Sequence, residues 1–219
     1  MHNSVNNLTV IHQELSKIFS INMKTNPKIV AVTKTFGIKE ILPMLDFGHL
    51  DFGENKVQEA IEKWSEIKIK YPNINLHMLG KVQTNKVKYL LPLFDYIHSL
   101  DNLKLAEKIS NEEIKKNKKL KIFIQVNIGN ETQKNGIAIN ELKPFYEECV
   151  NNLGLNIIGL MCLPPKTQDP TNFFLNLKNC AVKLDLRELS MGMSEDYLKA
   201  VKMGATYLRI GSKIFGDRI

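Results

Sequence analysis

Residues 28–34 read KIVAVTK, a short β-branched run closed by a lysine, and a longer segment of helical period follows at 38–47. The short run predicts a strand over 28–33 and the longer segment a helix. The same alternation returns along the chain, with strands expected at 49–52 (HLDF), 75–79 (NLHML), 96–99 (YIHS), 121–127 (KIFIQVN), 156–161 (NIIGLM), 188–191 (ELSM) and 206–210 (TYLRI). Helices are expected over 55–69, 85–91, 103–116, 139–153, 172–184 and 194–203, with a closing turn near 212–216. Eight βα units on a parallel sheet in about 200 residues reach the lower size limit of a (β/α)8 TIM barrel, an α/β fold whose interior runs such as IVAV at 29–32 would fill. A further helix is expected over about 5–18. An open doubly wound sheet uses the same units, but the first strand runs into Lys34-Thr35-Phe36-Gly37 where that fold carries GxGxxG, and GxxxxGK[ST] does not occur. The pattern favours the barrel. No linker rich in Gly, Pro or Ser divides the chain, so residues 1–219 read as one domain.

Composition narrows the function. The 219 residues are 43% hydrophobic and 24% charged, with a mean hydropathy of -0.19, an ordinary globular balance. No stretch approaches the roughly 20 apolar residues of a membrane span, and polar His2, Asn3, Asn6 and Asn7 stand where a signal peptide needs an apolar core, so a soluble cytoplasmic protein is expected. Cys149, Cys162 and Cys180 lack metal-site spacing and read as reduced thiols. The net charge of +7 invites a nucleic-acid reading, but only Arg187, Arg209 and Arg218 among 30 basic residues are arginine, the favoured reader of phosphates and bases. The dense run KKNKKLK at 115–121 reads as a solvated loop, and no nucleic-acid partner is expected.

Lys34 ends the first strand on the side where barrel active sites lie, and partial burial there would make its neutral amine available as a nucleophile. A strand-end lysine reaching solvent is the ordinary alternative. After the second strand, FGEN at 52–55 offers a glycine and Asn55, a neutral donor and acceptor that could equally cap a helix. His77 reads as a satisfied core histidine. LSMGMSED at 189–196 runs from a strand through glycine into a helix expected to begin at Ser194, and TYLRIGS at 206–212 again ends in glycine and a hydroxyl. Both loops supply backbone NH groups and hydroxyls, the parts of an anion cup, in the place where barrels often hold phosphate. Arg209 lies beside this cup, as a ligand contact or an ion-paired group. No spacing supports a metal site.

These residues carry a family resemblance. AVTK at 31–34, FGEN at 52–55 with Gln58 and Glu59, HMLGKVQTNK at 77–86 and Ser99-Leu100-Asp101 stand in order with VNIG at 126–129, Lys134, Gly136-Ile137, GLM at 159–161, LSMGMSED at 189–196 and RIGSKIFGDR at 209–218. Together they resemble the YggS/PROSC family, the pyridoxal phosphate homeostasis proteins, from about residue 28 to the C-terminus. The resemblance implies a barrel like the N-terminal domain of alanine racemase, the architecture of fold type III pyridoxal 5′-phosphate proteins. It also implies that Lys34 is the aldimine lysine, that Ser190, Met193, Ser194, Gly211 and Ser212 surround the phosphate, and that Asn55 and Arg209 lie near the ring. Departures are Ser212, where many members carry threonine, Lys81, where histidine is common, and a shorter segment at 164–172. The implied role is a monomeric carrier or buffer of pyridoxal phosphate without dedicated turnover, with pyridoxal phosphate-dependent apoenzymes as partners, because the chain ends at Ile219 without the further domain that racemases use. A weakly active racemase-like enzyme is the runner-up, followed by a barrel for another phosphorylated metabolite.

Overall fold

The computed structural model describes residues 2–22, 26–131, 133 and 135–216. Lys134 and the 217–218 end of the last motif lie outside these described residues. Helix α1 (Asn3–Asn22) precedes β1 (Lys28–Val32), α2 (Ile38–Asp46), β2 (Asp51–Glu54), α3 (Val57–Lys70) and β3 (Asn75–Met78). A 3-10 turn (Thr84–Lys86) and α4 (Val87–Leu90) lead to β4 (Tyr96–Leu100), α5 (Leu103–Lys116), β5 (Lys121–Val126) and α6 (Leu142–Glu147), which continues as a π turn (Glu148–Asn152). The chain then runs through β6 (Ile157–Cys162), α7 (Thr171–Lys183), β7 (Glu188–Ser190), α8 (Tyr197–Lys202), β8 (Tyr207–Ile210) and α9 (Ser212–Phe215). None of the described helices is long and apolar enough to cross a membrane.

The eight strands form a closed parallel barrel in sequence order, β8 returning to β1 through Lys28↔Tyr207, Ile29↔Leu208, Val30↔Arg209 and Ala31↔Ile210. This is the expected (β/α)8 architecture. Each strand lies between the barrel interior and the helical ring, so β1 and β5 are buried on both faces after an exposed first lysine. The apolar residues consequently divide into two regions. A large one joins the outward strand faces to the helices, and a small one of Val30, Tyr96, Phe123, Met161 and Tyr207 fills the barrel. Helix α1 belongs to the outer ring: the Asn7 amide donates to the Ile214 carbonyl at 2.9 Å, and Glu14 accepts from Lys213 at 2.9 Å and from the Tyr197 hydroxyl.

Several boundaries move from their expected places. Strand β2 spans Asp51–Glu54, two residues later than read, because Gly53 and Glu54, poor strand formers by propensity, pair with His77 and Met78 of β3. Helix α8 starts at Tyr197 rather than Ser194. A tight turn consumes the intervening residues, with the Asp196 and Tyr197 amides both donating to the Met193 carbonyl. The lysines expected in a solvated loop at 115–121 are partly tethered. Asn117 takes a left-handed conformation that ends α5, Lys118 donates to the Phe94 carbonyl at 2.8 Å and Lys119 to that of Gly154 at 2.8 Å. Cys149 and Cys162 are buried thiols as read, while Cys180 is half-buried.

Gly159 is where β6 lies against β7, opposite Glu188. A Cβ there would come within 2.0 Å of the Glu188 carbonyl oxygen, so alanine must push the two strands apart. Gly159→Ala is expected to lower the unfolding free energy by about 3 kcal/mol, measured by urea titration.

Candidate functional site

The C-terminal mouth of the barrel opens into a cleft of about 1510 Å³. Seven of the eight residues singled out from sequence line it: Lys34, Asn55, Met193, Ser194, Arg209, Gly211 and Ser212. Ser190 does not line the cleft; it is fully buried on β7 and points its hydroxyl at Arg209 and His98.

Lys34 is half-buried, two residues beyond the end of β1, in a turn closed by the Phe36 amide on the Thr33 carbonyl at 3.1 Å. The Phe36 ring stacks on Phe215 of α9 at 4.8 Å, joining this turn to the last helix across the β1–β8 seam. Asn55 follows β2 directly. Lys56, not Asn55, stands at the N-terminus of α3 and makes no side-chain cap, so the capping alternative for Asn55 is not realised.

The loops after β7 and β8 meet beside the Lys34 turn. Gly192, at φ 89°, lies so close to α8 that a Cβ would meet that of Ala200 at 2.6 Å. The Asp196 carboxylate accepts the Met193 amide at 2.6 Å, and the Ser194 hydroxyl oxygen accepts the amides of Gly211 (3.3 Å) and Lys213 (3.2 Å). Ser194 thus joins the β7 loop to the start of α9 rather than capping α8. Two backbone amides from the segment after β8 converge here on one oxygen acceptor supplied by the β7 loop, a donor pair of the kind that an oxyanion requires.

Arg209 is almost fully buried and donates to the Ser190 hydroxyl at 2.7 Å and the Cys162 carbonyl at 2.9 Å. Beneath it a polar chain crosses the barrel. Ser190 Oγ lies 2.7 Å from His98 Nδ1, His98 Nε2 lies 2.9 Å from His77 Nδ1, and His77 Nε2 lies 3.0 Å from Asp51 Oδ1. Burial lowers both histidines, partly opposed at His77 by the Asp51 hydrogen bond, while His77 and Arg209 push His98 further down. Burial pushes the Asp51 carboxyl up, but His77 more than offsets this and leaves it below its ordinary value. Two neutral imidazoles between an obligatory donor and an obligatory acceptor leave one consistent assignment. Arg209 donates to Ser190, Ser190 to His98, His98 to His77, and His77 to Asp51.

Sequence reasoning placed His77 in the core but missed its neighbour His98 and the partner Asp51. Their available signal was position: polar residues at inward-facing places on β2, β3 and β4. It named Glu59 only as part of a motif, without its contact to the Lys34 turn, and it missed Lys63. Lys81, the departure after Gly80, is exposed and donates to the Asn135 side chain at 2.9 Å, clear of the residues that form the cup.

The fold and this cleft define a class: (β/α)8 barrels with a lysine beyond strand one and serine hydroxyls and backbone amides beyond strands seven and eight. A family model described as alanine racemase, N-terminal domain, matches residues 7–219. A protein of Aquifex aeolicus named pyridoxal phosphate homeostasis protein is 35% identical over 200 residues, covering 87% of each chain. One of that name from Synechocystis is 38% identical over 201 residues, covering 88% of this chain and 92% of the relative. The solved structure of PipY from Synechococcus elongatus with PLP bound is 31% identical, with a TM-score of 0.82, covering 93% of this chain and 99% of PipY. Alanine racemase from Corynebacterium glutamicum, 14% identical with a TM-score of 0.66, shares the fold over 88% of this chain and 56% of its own. The chain belongs to the family of the alanine racemase N-terminal domain and, within it, to the pyridoxal phosphate homeostasis proteins.

The buried imidazoles of His77 and His98 and the half-buried one of His49 set a pH response. Burial lowers His49 to about 4, and His77 and His98 are lowered too. The unfolded chain therefore takes up protons first, so this stability is complete above pH ~6.5 and is lost as the pH falls toward 4. Between pH 8 and pH 5, His49 alone is expected to remove about 2 kcal/mol, read as a falling midpoint in denaturant titrations.

Proposed function

We propose that this protein binds pyridoxal 5′-phosphate in the C-terminal cleft and serves as a carrier and buffer for it in the cytoplasm, without dedicated catalytic turnover. The observation that carries the reading is that one cleft is lined both by Lys34 and by the Ser194 hydroxyl of the β7 loop, on which the Gly211 and Lys213 amides after β8 converge. The relatives' names and the PLP bound to PipY support the same ligand.

The residues present fit that molecule. Pyridoxal phosphate supplies an aldehyde that condenses reversibly with a primary amine. Lys34 provides the amine from the turn beyond β1. Met193, Ser194, Gly211 and Ser212 stand around the phosphate position, where the Ser194 oxygen marks the point on which amides converge. Arg209, fixed by Ser190 and the Cys162 carbonyl, presents a donor group at the cleft floor, and Asn55 adds a neutral polar contact beside the ring. Ser190 acts through Arg209. Residues 1–219 act as one monomeric binding unit, and the recipients are apoenzymes that need the cofactor.

Two measurements test this. Incubation with pyridoxal phosphate, borohydride reduction and peptide mass mapping are expected to place one pyridoxyl group on Lys34, and Lys34→Ala is expected to abolish it; retained tight binding in that variant would favour a phosphate-only barrel. With amino acids in deuterated water, a carrier leaves the α-hydrogen unexchanged. Steady exchange would overturn the carrier role in favour of a racemase-like enzyme.

A further inference from the structure

We propose that Glu59, Lys63 and Glu54 are positioning residues that hold the turn presenting Lys34, a role that rests on the reading of Lys34 given above. Thr35, immediately after Lys34, has φ 70°, a left-handed conformation that a β-branched residue rarely adopts. Such a conformation persists where its surroundings over-determine it. The surroundings here come from β2 and α3. The Thr35 amide donates to Glu59 Oε1 at 2.7 Å, directly after Lys34. Directly before it, the Thr33 carbonyl accepts from Lys63 Nζ at 2.8 Å and the Thr33 hydroxyl donates to Glu54 Oε1 at 2.7 Å. The peptide on each side of Lys34 is therefore clamped, one through a carbonyl and the other through an amide.

A single ammonium joins the two clamps: Lys63 also donates to Glu54 at 2.9 Å and to Glu59 at 3.2 Å, while Trp64 donates its indole N–H to the same Glu54 oxygen at 2.9 Å. The Lys63 side chain is only 9% exposed and that of Glu54 not at all. A buried ion cluster of this kind is a poor source of stability, since desolvation consumes most of its Coulombic gain. What it supplies here is geometry. Glu59, the most exposed member at 28%, can be changed without leaving a fully buried charge unpaired.

The experiment follows the rate at which pyridoxal phosphate becomes attached to Lys34, by borohydride quenching and intact mass. It is paired with hydrogen exchange of the Thr35 amide in protein without the cofactor. Glu59→Ala is expected to slow attachment about tenfold and to speed Thr35 exchange by a similar factor. Glu59→Gln, which keeps an acceptor, is expected to retain most of the rate. The decisive variant is Glu59→Ala with Thr35→Gly, because glycine adopts positive φ at no steric cost; it is expected to return attachment to within about twofold of wild type. Glu62→Ala, on the same helix but outside the cluster, is the control. Unchanged attachment in Glu59→Ala, or a loss that Thr35→Gly does not restore, overturns the positioning role. If the wild type itself is never labelled, the binding reading fails, and the role assigned to the cluster falls with it.

Discussion

The pairing of β1 with β8 is the constraint on which the rest of the structure depends. Four residues of each strand are in register, Lys28↔Tyr207 through Ala31↔Ile210, and they join segments almost at opposite ends of the chain. Because the strands are parallel, their following loops leave the barrel side by side, which brings the Lys34 turn next to Gly211 and Ser212. The Phe36–Phe215 stack extends the seam beyond the last strand residues, and α1 braces it from outside through Asn7 and Glu14. An open sheet with the same strands would leave Lys34 at one edge and the cup at the other.

Closure also creates an interior, and here that interior is unusually polar for a packed barrel core. His77 stacks on Tyr96 at 4.1 Å and His98 on Phe123 at 4.3 Å, so the imidazoles fill space as aromatic rings while their nitrogens form the chain from Arg209 to Asp51. An aliphatic interior would pack as well but could not accept from Ser190. Buried polar groups are tolerated where every member is satisfied, and the one-directional run of donors meets that condition. Its mechanical result is that Arg209, on β8, is held from two sides at the floor of the cleft.

Much of this was legible in the chain. Short apolar or β-branched runs located all eight strands, most closely where local pattern and burial agree: β1 and β3 begin where the runs do, and β5 spans nearly the whole of KIFIQVN. Lys34 was legible because it closes such a run. Strand β2 was displaced because Gly53 and Glu54 are set by pairing with β3, a long-range term that local propensity does not carry. The start of α8 was misplaced for a local reason: Asp196 takes the Met193 amide and turns the chain once more before the helix. Ser190, taken for a phosphate contact, faces inward because strand alternation puts it beside Arg209 and not toward the cup. The His98–His77–Asp51 chain was illegible, since it joins residues of three strands and no single stretch contains it; Glu54 and Glu59 stood in a quoted motif, but their meeting at Lys63 and the Lys34 turn depends on how α3 packs against β1 and β2.

The carrier proposed above must meet two demands that pull against each other, and the distribution of contacts bears on both. Holding an electrophile calls for an amine kept in a reactive orientation, which is a matter of backbone geometry. Releasing it calls for a site whose remaining contacts are individually modest and open to solvent. Two supporting networks lie behind the surface of this cleft: the ion cluster behind Lys34 and the imidazole chain behind Arg209. On the proposed reading, the groups turned to the ligand include the half-buried Lys34, Asn55, the Ser194 and Ser212 hydroxyls and the single guanidinium of Arg209, within a cleft that apolar side chains also line. Because the anchoring sits in the supporting layer, the contacts themselves can be few, so orientation does not require the depth of burial that would make departure slow.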